Sequence, residues 1–135
     1  MMWSEFGSSL LSFVTFFGSG VISILIYTVI YTAVTPHKEF ELIKDQNQAA
    51  ALAFAGSLLG FVIAIARLIE SAVYIFDFYL WVAVAIAVQL IAYGVVRLTF
   101  PRISERIANG ELSAAIWLAG ISIVAGLLNA ASLSP

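Results

Sequence analysis

Four apolar stretches, each long enough to cross a bilayer, constrain this chain more than any other feature. They run Leu10–Val34, Gln46–Ala66, Phe78–Val96 and Leu112–Leu133. Crossing about 30 Å of hydrocarbon as helix takes roughly 17 to 25 residues. A soluble alternative fails on composition: 62% of the 135 residues are hydrophobic and 10% are charged, too much apolar surface for one core of this size to hide. The expected fold is an all-α integral membrane protein with four transmembrane helices in a single membrane domain over residues 1–135. No Lys or Arg precedes the first stretch, and no clear small-residue cleavage pattern accompanies it. It is therefore expected to be retained as a helix rather than removed as a signal peptide.

The charges that remain are placed unevenly. His37, Lys38 and Lys44 lie in the first connection and Arg97, Arg102 and Arg106 in or beside the third, leaving Arg67 as the exception. The positive-inside rule predicts that these connections are cytoplasmic and that both termini lie outside. A net charge of −2 with six scattered basic residues provides no patch for nucleic acid. There are no cysteines, which excludes disulfides and thiolate chemistry.

Along the chain, Trp3 and Phe6 suit an interface, while Gly18, Gly20 and Ser23 offer helix 1 a close neighbour. Tyr27 and Tyr31 share one face, and Thr28 and Thr32 an adjacent one. Their hydroxyls are expected to bond the preceding turn or a neighbouring helix, with a pore-lining face as the alternative. Pro36 ends this helix and suits the opening of another. The polar segment after it, with Glu39 and Glu41 in its early turns, reads as a helical extension of helix 2. His37, the sole histidine, reads as a surface residue because no metal-ligand set accompanies it.

Helix 2 carries a face of Ala49, Ala53, Gly56, Gly60 and Ala64 that would let another backbone approach closely. Arg67 and Glu70 close it as an i,i+3 couple, either an interfacial anchor or a buried pair bounding a polar cavity. Tyr74, Phe76, Phe78, Tyr79 and Trp81 form an aromatic belt, with Asp77 as a candidate cap for helix 3. Ala85, Gln89, Tyr93 and Arg97 then recur every four residues. Gln89 lies near mid-membrane, so its amide seeks either an interhelical partner or a conduction path. Arg97 is placed to snorkel. In helix 4, Ser122, Gly126 and Ala130 share a face, and Asn129 requires a partner of its own.

The second and fourth runs share a pattern. Ala50-Ala51-Leu52-Ala53-Phe54-Ala55-Gly56 aligns with Ala114-Ala115-Ile116-Trp117-Leu118-Ala119-Gly120 at an offset of 64. Leu25-Ile26 and Pro36 align with Leu90-Ile91 and Pro101 at an offset of 65. These matches predict two duplicated helical hairpins, approximately residues 10–70 and 78–134, related by an axis along the membrane normal. The Asn47/Ala50-Ala51 lead-in, Gly56…Gly60, Asp77…Trp81, Gln89, Pro101 and Gly126-Leu127-Leu128-Asn129-Ala130-Ala131 resemble the DUF350 family of small bacterial inner-membrane proteins. The resemblance covers roughly residues 10 to 133. It implies a four-helix fold in the bacterial envelope and assigns no chemistry. Gly110-Glu111 departs from the family's asparagine-led pattern.

No HExxH, phosphate-binding glycine loop or serine–histidine set is present, and quinone, haem and metals find no recognisable ligand set. The expected function is a non-enzymatic, homo-oligomeric membrane subunit of an envelope process, without cofactors. Its expected contacts are membrane lipids, further copies and an unidentified membrane or envelope protein. The alternative is a small oligomeric channel or transporter component. Arg67, Glu70, Asp77, Gln89, Tyr93, Arg97 and Asn129 are the candidate functional or assembly positions.

Overall fold

The computed structural model describes residues 2–133, so Met1 and residues 134–135, the ends of the expected domain and second repeat, lie outside the described residues. Among the described residues six helices form: α1 (Trp3–Val34), α2 (Glu39–Lys44), α3 (Gln48–Ser71), α4 (Ile75–Thr99), α5 (Ile103–Ala108) and α6 (Leu112–Ser132). The four longest are long and apolar enough to cross a membrane. Helix α1 starts earlier than its apolar run because the Met2 amide donates to Glu5 Oε2 at 3.2 Å, anchoring the first turn. Its 32 residues span about 48 Å at about 1.5 Å each, longer than the hydrocarbon core.

The polar lead-ins are separate helices, not extensions of the spans. In the first, Gln46 adopts a left-handed φ of 65°. Its amide donates to the Ile43 carbonyl at 3.0 Å and that of Asn47 to Leu42 at 2.9 Å. This is a Schellman ending, in which a left-handed residue lets the last carbonyls of a helix find donors. The second lead-in ends the same way, with Gly110 at φ 83°. There Gly110 donates to Ile107 at 2.9 Å and Glu111 to Arg106 at 3.0 Å. Each turn reverses the chain before the next long helix begins.

Asn47 holds the two turns together. Its Oδ1 accepts from the Ala50 amide at 2.9 Å, capping α3. Its Nδ2 donates to the Ile107 and Ala108 carbonyls at 3.2 and 3.0 Å, satisfying the end of α5. Glu111, the equivalent residue before α6, makes no side-chain cap. It accepts from Arg106 Nε at 2.9 Å instead.

The closest helix pair is α3 with α6. A Cβ added to Gly56 would overlap Ala119, one on Gly60 would strike the Ser122 carbonyl, and one on Gly126 would strike the Gly60 carbonyl. Ala49, Ala53 and Ala64 are buried along the same face of α3. Lipid supplies no hydrophobic drive between helices, so such backbone-close packing has to come from dispersion contacts. Helix α4 leans on this pair through Phe78, Val82, Ala85 and Val96. Helix α1 is peripheral, burying only Ser19, Gly20, Ser23, Tyr27 and Tyr31. Large apolar side chains such as Phe13, Phe17, Leu25 and Val29 stay exposed on its other sides.

Candidate functional site

The buried face of α1 continues as a polar line. Ser19, Ser23, Tyr27, Tyr31, Thr35 and Glu39 recur every four residues, and all are buried. Within α1 a four-residue step returns to nearly the same side of the helix, so the part from Ser19 to Tyr31 faces α3 and α4, and Thr35 and Glu39 follow beyond the helix end. Ser23 satisfies itself by donating to the Ser19 carbonyl at 2.7 Å. The Tyr27 hydroxyl is hydrogen-bonded to Ser57 Oγ of α3, and its ring stacks on Phe61 with centroids 4.3 Å apart. Tyr31 meets Tyr93 of α4 edge-on, centroids 6.0 Å apart. Its hydroxyl has no hydrogen-bond partner among the described residues.

Beyond α1 the line ends in a cluster at the two short helices. Thr35 donates its hydroxyl to Glu39 Oε1, and His37 Nε2 lies 3.4 Å from the same oxygen. The side chains of His37 and Glu39 are each 1% exposed. His37 is therefore not the surface residue expected from its polar surroundings: the bend after Pro36 folds the imidazole inward. Burial pushes the Glu39 carboxyl up from its ordinary value, with the Thr35 hydrogen bond opposing. Burial pushes His37 down. Both directions favour uncharged side chains, because desolvation penalises the ion in each case. Among the described residues, no three His, Asp or Glu side chains gather as metal ligands.

The seven positions singled out from sequence do not converge. Gln89 is buried and donates to the Ser122 carbonyl at 3.1 Å, at the crossing of α3 and α6. Tyr93 is buried and shares a 2.8 Å hydrogen bond with Ser104 of α5. Arg97 is exposed and is not buried with Gln89 and Tyr93. Arg67 and Glu70 pair at 3.5 Å with Glu70 well exposed, at the opposite end. Asp77 does not cap α4: Tyr74 holds that position, and Asp77 sits exposed in the first turn. Asn129 is half-buried in an open apolar groove between α4 and α6, walled by Val84, Val88, Val124 and Leu128. Its Nδ2 has no partner among the described residues.

Four long apolar helices, two of them closed on one another by glycine contacts, define a small multi-pass membrane protein. The family model described as Domain of Unknown Function (DUF350) matches residues 4–133. The chain belongs to that family. It is similar to the UPF0719 inner membrane protein YjfL of Escherichia coli (strain K12), 40% identical over 126 residues, covering 93% of this chain and 96% of the relative. The protein of the same name from Escherichia coli O157:H7 matches to the same extent. No solved structure matches. With these relatives, the four helices place the chain in the inner membrane.

Proposed function

We propose that this chain is a non-enzymatic membrane subunit that associates with copies of itself and serves a process of the bacterial envelope. The observation that carries this reading is the contrast between the two surfaces of the bundle. The α3–α6 crossing is closed backbone against backbone, whereas α1 presents most of its length without an intramolecular partner. Such a subunit would contact lipid, further copies and an envelope partner through α1. The lead-in turns support a duplicated origin, since two Schellman endings with left-handed residues 46 and 110 stand 64 residues apart. The basic residues Lys38, Lys44, Arg102 and Arg106 lie with those turns, which favours that end in the cytoplasm and both termini outside.

A second reading, conduction between assembled copies, draws on the polar line of α1. Within one copy, Gln89 and Tyr93 are engaged in packing contacts, which weighs against an axial path. Purification in mild detergent with mass determination tests the preferred reading. A defined multimer is the expected outcome, and a monomer across detergents and nanodiscs would overturn it. Proteoliposome flux above the protein-free background, altered by Gln89→Ala without loss of the assembly, would instead establish conduction. The cysteine-free sequence allows single cysteines at residues 5 and 105 to report orientation by labelling from one side.

A further inference from the structure

Polar atoms at the joint between α1 and α2 lack hydrogen-bond partners. Glu39 Oε2, both ring nitrogens of His37 and Tyr31 Oη are buried without hydrogen-bond partners among the described residues. Glu39 Oε1 is already used by Thr35. The basic side chains of α2, α4 and α5, Lys44 and Arg102 among them, are exposed or paired with other carboxylates. Lys38 is 76% exposed and lies 4.0 Å from Glu41 on the solvated side, and Arg106 of α5 binds Glu111. Arg97 of α4 is exposed. The groups on the packed helices that feel Glu39 are Tyr27 and Tyr31 of α1, which in turn meet the Ser57 hydroxyl of α3 and Tyr93 of α4. None of these brings a compensating positive charge. A bare carboxylate here would be buried without a full complement of donors, an arrangement that proteins avoid by neutralisation.

We propose that Glu39 and His37 form a proton-binding site, with the proton held on the Glu39 carboxyl and taken from water at the end bearing α2 and α5. Binding adds one proton to the carboxyl, so the pair passes from net −1 to neutral. The adjoining Lys38 and Phe40 are exposed, which places the site one side chain beneath the surface, with the charged Lys38 marking the way to the aqueous phase. His37 is close enough to take the proton in exchange, so the two groups titrate as a unit. The upward direction for the carboxyl and the downward direction for the imidazole agree with the proton residing on Glu39. Loss of that proton leaves a buried negative charge at the hinge that docks α1 on the bundle. The site would therefore make that docking sensitive to pH, whether or not copies associate.

Infrared spectroscopy of the full chain in phospholipid nanodiscs, labelled with ¹³C-carboxyl glutamate, tests the proposal. Glu39 is the buried carboxyl among the described residues. The expected result is a protonated-carboxyl band that persists well above the ordinary glutamate pKa of about 4.3. It should vanish in Glu39→Gln and survive in Glu41→Gln. Disappearance of the wild-type band in the ordinary range would overturn the proposal even if Glu39→Gln failed to fold. So would a band that survives in Glu39→Gln. Nitrogen-15 NMR of His37 separates the two holders of the proton: a neutral imidazole is expected near neutral pH, and an imidazolium would overturn the assignment to Glu39.

Discussion

Gln46 and Gly110 occupy the same left-handed position at the ends of α2 and α5, but only one is glycine. A side chain with a Cβ is disfavoured there by roughly 1–2 kcal/mol. Gln46→Gly should therefore raise stability by about 0.5–1 kcal/mol, and Gly110→Ala should lower it by about 1 kcal/mol. Unfolding in mixed micelles measures both. Asn47 permits a finer separation. Asn47→Asp keeps the α3 cap and removes donation to Ile107 and Ala108, while Asn47→Ala removes both. The alanine variant should cost about 2 kcal/mol in the same assay and the aspartate variant less.

The buried pair also gives stability a pH dependence with two opposed arms. The Glu39 carboxyl is raised above 4.5, so its contribution is complete below that value and is lost as pH rises towards the folded-state value. His37 is lowered from 6.5, so its contribution is present above 6.5 and is lost as pH falls towards the folded-state value. Thermal unfolding against pH should show Glu39→Gln without the alkaline loss and His37→Gln without the acid loss. Unchanged profiles in both variants would contradict the burial of the pair.

Among the helices, the α3–α6 contact is the least tolerant of added volume. Gly60→Val places side-chain carbons against the Ser122 backbone, where no flexible side chain can yield. A loss of about 3 kcal/mol is expected, at the upper end of ordinary overpacking. Gly94→Ala, with open space around it, should be near neutral in the same measurement. The long helices were legible because apolar runs of that length have few other stable states in lipid. The small faces of α3 and α6 were legible because alanine and glycine at helical spacing leave little else to do. The break before α3 was hidden because glutamine is an unusual left-handed residue. The α1 line was visible in fragments, as Ser23 and the Tyr27–Tyr31 pair. Its extension through Thr35 to Glu39 was masked by Pro36, which made the polar segment read as solvated surface.

Across the whole molecule, polar groups divide by depth. Arg67, Glu70 and Asp77 lie at one end, Arg97 and the short helices at the other, and Gln89 is enclosed at the central crossing. Sequence located each of these along its helix but could not tell which way it turned, because apolar residues occur all round α4. That ambiguity concealed the splitting of Tyr93 from Arg97.

The pairing of α3 with α6 carries a consequence for biogenesis. The ribosome delivers α3 well before α6, and the acceptor carbonyls for Asn47 belong to α5, some 60 residues downstream. A newly inserted first hairpin must therefore wait in the bilayer with its glycine groove open to acyl chains and its asparagine amide unclaimed. Integration of each helix and closure of the bundle are separate events, and it is the arrival of α6 that locks α3 in place.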